Sequence, residues 1–409
     1  MKAEKRLVMK NKSLKLILII TVLFMVASVV SANEVSAVWT RLFRRAVSLT
    51  QKSNIMTNIV EQHNRDMIPV LMEALDEQLG NLETTGDVTV RLQTSEYTKM
   101  IVKELGRLKA NEAAPLIIQI VENVDEPFLK GEGIIALGKI GARQYTNKLN
   151  LLLRNLNFNL GDIQDQRKNE IVAYSLVLAL ERLKQPESYS PLFFASTGWY
   201  SSGSGIRAKA GEAMLNIIDD PTEQLMNILL ENKAYDIKLA ALSAGSKSRA
   251  SDENKSALAV SALKEGLLAS PKNPTEKIQL KSLRVLALNI LESSSSKPEE
   301  AIPYMSKMLE QYRTERLYDI DEMVDLFEAF GTFPSDESVK AQTEFLAYLT
   351  DRKESGRVID LRISKSSIIA IGNTANPLGF EQLTNVEYSD SWENSVKREA
   401  RNALGKLNK

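Results

Sequence analysis

The chain has no cysteine in 409 residues, so disulfides, thiolate nucleophiles, Cys-type zinc sites and lipid attachment through cysteine are all excluded. It has one histidine, His63, so neither a Ser–His–Asp triad away from that residue nor a multi-histidine metal site can be assembled. His63 sits in EQHNRD near a helix junction and reads as a surface or capping residue. Aromatics are only 6% of residues, with three Trp, which argues against a sugar cleft built from stacking rings. Charge of one sign is also missing: 52 Lys/Arg face 52 Asp/Glu. The balance hides an asymmetry, because residues 1–32 carry six Lys/Arg and one Glu, leaving 46 basic and 51 acidic residues, net −5, in the body. A mildly acidic body has no broad electrostatic footprint for nucleic acid, and none is expected as a partner.

Long apolar runs are absent beyond the amino terminus. There, Met1–Lys15 is basic, Leu16–Val30 is apolar, and Val30-Ser31-Ala32 matches a small-x-small cleavage site. That is the layout of a secretory signal peptide over residues 1–32. Met9 is an alternative start. The apolar run is 15 residues, short of the ~20 that span a bilayer. The expectation is export to a periplasm or cell exterior, with no stable membrane insertion after cleavage. An uncleaved leader anchoring the chain in the cytoplasmic membrane is the alternative.

What is present is helical periodicity. In Lys130–Leu156, Ile134, Leu137, Gly138 and Gly141 fall at 0, +3, +4 and +7, and Leu149, Leu152, Leu153 and Leu156 repeat the spacing. Each set is one apolar stripe on one short helix. Neither helix buries its stripe alone, so the pair must stack on similar pairs. Leu105-Gly106 precedes Leu137-Gly138 by 32 residues, and Ile371-Gly372 precedes Leu404-Gly405 by 33. Recurrence near 32–34 residues marks a repeat array.

Further copies span Tyr97–Val124, Ile171–Phe194, Ile206–Asn232, Asp236–Leu268, Lys277–Tyr312, Asp319–Thr350 and Leu361–Asn385. Gly80–Val90 reads as a polar loop, NFNLGDIQDQRKN as a stretched linker, and the four serines at 293–296 as a flexible loop. Residues 33–65 read as capping helices covering the first repeat. Trp39, Leu42, Phe43 and Val47 share a face with Arg41, Arg44 and Arg45 beside it, so a membrane-surface or docking helix is the rival reading.

The residues Ile135-Ala136-Leu137-Gly138-Lys139-Ile140-Gly141 and Ala113-Ala114-Pro115-Leu116 resemble the HEAT-repeat family, in its short bacterial form of PBS-lyase-type HEAT-like repeats. Ile369-Ala370-Ile371-Gly372, Arg398-Glu399-Ala400 and Ala403-Leu404-Gly405-Lys406 repeat the likeness. The resemblance is clear in about four units and extends over residues 66–409. It implies an all-α fold, a right-handed alpha-alpha superhelix of the HEAT/armadillo-like kind, with packing residues rather than catalytic ones in its motif. Some relatives act on bilin chromophores; nothing in this sequence marks such a site, and no cofactor or metal is expected.

Three clusters invite chemistry. Asp319, Asp321, Glu322, Asp325 and Glu328 form an acidic group without the spacing of a calcium loop, and read as a solvated helix face. Ser364-Lys365-Ser366-Ser367 reads as a polar helix face. Ser196–Arg207, STGWYSSGSGIR, matches no phosphate-binding spacing. Its aromatics either fold onto the array or serve as anchors, so Trp199, Tyr200 and Arg207 are the candidate partner-binding residues. The function expected is a non-catalytic scaffold that binds a protein partner through the concave face of the solenoid. A closed helical toroid hydrolysing a cell-envelope polymer is the alternative.

Overall fold

The computed structural model describes residues 34–84, 87–314 and 319–407. The leader read at residues 1–32 lies outside them. Every regular element described is a helix, and the chain is a helical-repeat protein of the all-α class. It divides into two compact units, Met1–Ile217 and Ile218–Lys409.

In the first unit, α1 (34–45) and α2 (Leu49–Glu61) precede α3 (Ile68–Thr84), α4 (Val88–Arg107), α5 (Ala114–Asn123), α6 (Pro127–Ile140) and α7 (Thr146–Phe158). Then come α8 (Ile163–Leu183), α9 (Tyr189–Thr197) and α10 (Ile206–Ile217). The helices alternate between two layers. First helices α4, α6, α8 and α10 stack one on the next, while α3, α5, α7 and α9 each pack against the first helix that follows. The apolar stripes read in the sequence are the faces that meet: Ile134, Leu137, Leu149 and Leu153 are fully buried. Burying one such side chain stabilises the fold by roughly 1.5–3 kcal/mol.

The second unit repeats the scheme. Its first helices are α12 (Tyr235–Lys247), α14 (Pro274–Ser293), α16 (Ile320–Phe330), α18 (Leu361–Asn373) and α20 (Asn394–Leu407). Its second helices are α11 (Thr222–Glu231), α13 (Asp252–Leu268), α15 (Ile302–Arg313), α17 (Asp336–Glu354) and α19 (Phe380–Tyr388). The copy read as Ile206–Asn232 straddles the division, with α10 closing one unit and α11 opening the other.

One corner recurs. After α2, α4, α6, α8 and α18 the backbone turns left-handed at His63, Lys109, Gly141, Lys184 and Ala375, with φ of 52°, 53°, 83°, 51° and 51°. A single 3-10 turn follows each of these residues and leads into the second helix. Pro115 and Pro303 stand at the entries of α5 and α15, where a missing N–H has no intrahelical partner to lose.

Four sequence expectations need correction. The supposed loop Gly80–Val90 is mostly helix, because α3 runs to Thr84 and Asp87 caps α4 by accepting the Thr89 and Val90 N–H groups. The linker 157–169 shrinks to the four residues between α7 and α8, since Asp162 caps α8 at Gln164 and Asp165. The serine run is pinned rather than flexible: Ser256 Oγ donates to Ser294 Oγ at 2.8 Å, and the Ser295 N–H and hydroxyl both donate to the Asp252 carboxylate at 3.0 and 2.5 Å. Ser364 and Ser367 are fully buried between helices and do not form a solvent face.

The acidic group on α16 is likewise less solvated than its spacing implies. Glu322 is buried and takes the Arg284 guanidinium at 2.5 and 3.1 Å, while Arg284 also donates to the Gly266 carbonyl at 2.9 Å. Asp319 caps α16 and pairs with Lys281 at 2.5 Å. Asp321 meets Arg362 at 3.0 Å. The carboxylates of α16 therefore tie it to the first helices on either side, α14 and α18.

Candidate partner-docking surface

The Gly198–Gly205 loop after α9 folds back onto α7 and α8. Tyr200 is fully buried, and its hydroxyl donates to Asn157 Oδ1 at 2.8 Å. Burial, with the Glu170 charge nearby, pushes that phenol's pKa up. Asn157 is itself buried and donates from Nδ2 to the Pro191 carbonyl at 2.9 Å. Trp199 is half-buried, with its indole N–H donating to the Leu156 carbonyl at 2.8 Å and its ring 4.6 Å from that of Tyr200. The Ser201 N–H donates to Glu170 on α8 at 2.6 Å.

The loop is thus a clasp. Tyr200 is not a displayed anchor: its ring is buried against that of Trp199, and its hydroxyl is spent on Asn157. Trp199 is partly exposed. Arg207 lies on α10, exposed, with no hydrogen bond or ion pair among the described residues. Of the three residues picked out in the sequence, only Trp199 and Arg207 reach solvent.

What the clasp holds in place is an apolar surface. Phe158, at the end of α7, is 61% exposed, and its ring lies 5.1 Å from that of half-buried Phe194 on α9. Leu151 on α7 is 58% exposed, and Leu160 and Ile163 follow Phe158 in the exposed α7–α8 corner. Toward α5 the surface continues into a groove of about 250 Å³ floored by Ile118, Val121, Leu149 and Leu152. Lys148 and Glu122 close an ion pair at its rim, with Lys130 beside them. Arg154, exposed on α7, has no carboxylate partner among the described residues.

Exposed apolar side chains scattered singly are ordinary, but a set sharing one helix and its neighbour, bordered by charge, has the make-up of a docking face. Sequence reasoning passed over Phe158 because it fell in the stretch read as linker. One signal pointed to Leu151: three consecutive leucines, 151–153, cannot all face the core of a 3.6-residue helix.

Two further recesses are lined mainly by charged and polar residues. One, about 420 Å³, lies beside α4 and holds His63, Lys103, Glu104 and Arg107. Buried Glu104 is committed there to Arg107 at 2.8 Å and to His63 Nδ1 at 3.3 Å. The other, about 460 Å³, runs between α17 and α19, lined by Asp351, Glu354, Gln382, Asn385 and exposed Tyr388. Among the described residues no group of three or more His, Asp or Glu converges as metal ligands do, and no helix is long and apolar enough to cross a membrane.

No family model and no curated protein matches the chain. Solved structures that align with it include an engineered protein, 14% identical, with a TM-score of 0.36 over 91% of this chain and 99% of its own. Human deoxyhypusine hydroxylase in complex with glycerol aligns at 17% identity and a TM-score of 0.28, over 83% of this chain and 97% of its own. A chain of the SYS-1/POP-1 complex aligns at 11% identity and a TM-score of 0.28, over 83% of this chain and 63% of its own. Likeness at these scores carries no weight for function, and the helical-repeat class rests on the packing described above.

Proposed function

We propose that the protein is an exported, non-catalytic scaffold of the HEAT-like repeat type that binds a protein partner through the second-helix layer of its first unit. The observation that carries this reading is the exposure of Leu151 and Phe158 on one side of α7, with Phe158 stacked on half-buried Phe194 of α9 beside the Tyr200 clasp. Rigid backbone under exposed aromatic and leucine side chains suits docking, because little conformational entropy remains to be lost on binding. Lys130 and Arg154, beside the Lys148–Glu122 pair, give the rim a cationic bias. The partner that fits is an amphipathic protein segment with apolar anchors and acidic flanks.

Export is supported by the basic-then-apolar leader and its small-x-small site. The non-catalytic reading is supported by Glu104, the buried carboxylate of the recess beside α4, being spent on a structural ion pair with Arg107. The test is binding. Leu151→Asp and Phe158→Asp, each outside the buried core, should weaken partner capture by at least about tenfold, the worth of one apolar anchor. Their unfolding curves should match the parent's. Undiminished capture by both variants would reject the surface.

A further inference from the structure

Helix α1 has two apolar faces. The inner one carries Phe43 and Ser36, both buried, and is fastened to α3 by Arg44, whose Nη2 donates to Glu73 Oε2 at 2.8 Å and whose Nε donates to Oε1 and Oε2 at 3.2 and 3.1 Å. The outer face carries Val35, Val38 and Leu42, exposed by 45%, 46% and 42%. They fall at 0, +3 and +7, a single stripe along the helix. Val47, just past the end of α1, is 93% exposed. Arg41 and Arg45 project from the same side, and neither has a carboxylate partner among the described residues.

A cap needs only its inner face to be apolar; its outer face should be polar. Here the outer stripe is β-branched and leucine, flanked by long cationic side chains that reach sideways from an apolar surface to anions above it. The charge sits against the trend of the chain, whose body beyond residue 32 is net acidic. The apolar run Leu16–Val30 ends only five positions before Val35, so in the alternative of an uncleaved leader α1 follows directly on the anchoring segment.

We propose that the outer face of α1 lies in the headgroup region of an anionic lipid bilayer, with Val35, Val38 and Leu42 immersed and Arg41 and Arg45 on lipid phosphates. The helix is about three turns long and lies on the surface rather than crossing it. The first unit is thereby held at a membrane. This inference does not depend on the protein partner.

The absence of cysteine makes the test direct. Nitroxide labels are placed on full chains carrying Val38→Cys, Leu42→Cys or, as the control on another side of α1, Ala37→Cys. Each is mixed with vesicles of phosphatidylcholine and phosphatidylglycerol in equal parts, and with vesicles of phosphatidylcholine alone. On the anionic vesicles, labels at 38 and 42 should gain collisions with oxygen and lose collisions with a water-soluble nickel complex, while the label at 37 keeps its nickel access. Arg41→Glu with Arg45→Glu should weaken partition onto those vesicles by about tenfold or more. The proposal is overturned if the chain does not associate. It is equally overturned if the chain associates through its leader alone, with 38 and 42 as open to nickel as 37. Shielding of 38 and 42 without vesicles would assign the stripe to a second copy of the chain and also overturn it.

Discussion

The Tyr200 hydroxyl donates to Oδ1 of Asn157 across 43 residues of sequence, and the two buried side chains join the loop after α9 to the last turn of α7. Asn157 has a second bond, to the Pro191 carbonyl, so one amide links the clasp loop, α7 and α9. Removing only the hydroxyl, in Tyr200→Phe, leaves a buried amide oxygen without its donor and should cost about 1–3 kcal/mol. Urea unfolding measures this. A loss near zero would mean that water reaches Asn157 and that the clasp is looser than described.

The glycine of the recurring Leu-Gly step marks where first helices touch. A Cβ at Gly138 would lie 2.7 Å from the Ala179 Cα on α8, and one at Gly372 would lie 2.8 Å from the Ala403 Cα on α20. Gly405 has the same place in the motif but nothing within 4 Å. Gly138→Ala should therefore destabilise by about 1–3 kcal/mol, since backbone must move. Gly405→Ala should stabilise by about 0.5–1 kcal/mol through helix propensity. Thermal melts of the two variants should shift in opposite directions; a shared direction would remove close approach as the reason for the motif.

The left-handed corner is filled by glycine at Gly141 but by side-chain-bearing residues at Lys109, Lys184 and Ala375. For a residue with a Cβ that conformation costs roughly 1–2 kcal/mol. Ala375→Gly removes the strain but adds freedom to the unfolded chain, so the net gain should be less, up to about 1 kcal/mol. The urea midpoint should rise with an unchanged slope. A fall would mean that the alanine methyl contributes packing that outweighs the strain.

Two aspartates of α16 should respond to pH in opposite senses. Burial raises Asp319, but Lys281 and the Glu322 and Asp321 N–H groups outweigh it, and its pKa lies below the usual range. A depressed carboxylate contributes stability above its unfolded pKa, and that contribution is lost as pH falls through the folded value. Asp325 is raised, first by burial and then by Glu328, Glu322 and Asp321. Its charged form is a cost at neutral pH that disappears as pH falls through its raised folded value. Asp319→Asn, which keeps the helix cap, should lower the urea midpoint at neutral pH, and Asp325→Asn should raise it. The Asp325 difference should vanish once pH has fallen below the ordinary aspartate range, and the Asp319 difference only at a lower pH, after the depressed folded value has also been passed. Differences that persist in acid would make the effects steric.

The helical pairs were legible because periodicity reports burial directly: Ile134, Leu137, Leu149 and Leu153 stand where their spacing put them. Helix ends were less so. Asp87 and Asp162 extend α4 and α8 into polar stretches by capping, a single-residue effect lost in the average polarity of a segment. The corners at His63, Lys109, Lys184 and Ala375 carried no glycine to announce them. The candidate site was legible only in part. STGWYSSGSGIR stood out by composition, and that composition belongs to a clasp; its aromatics are turned inward by hydrogen bonds to residues more than 40 positions away. Phe158 and Leu151 carry the exposed surface, and their exposure depends on how α7 meets α9, which no local pattern contains.

The most direct test of the docking surface places a photo-crosslinking amino acid at Leu151, at Phe158 and, on the first-helix layer, at Lys168 of α8. The labelled chains are irradiated in the native cells, and the crosslinked peptides are sequenced by mass spectrometry. The account predicts that positions 151 and 158 trap one and the same partner, through an apolar segment flanked by Asp or Glu, and that position 168 does not. Equal yields of the same adduct from all three positions, or no adduct from 151 and 158, would contradict it.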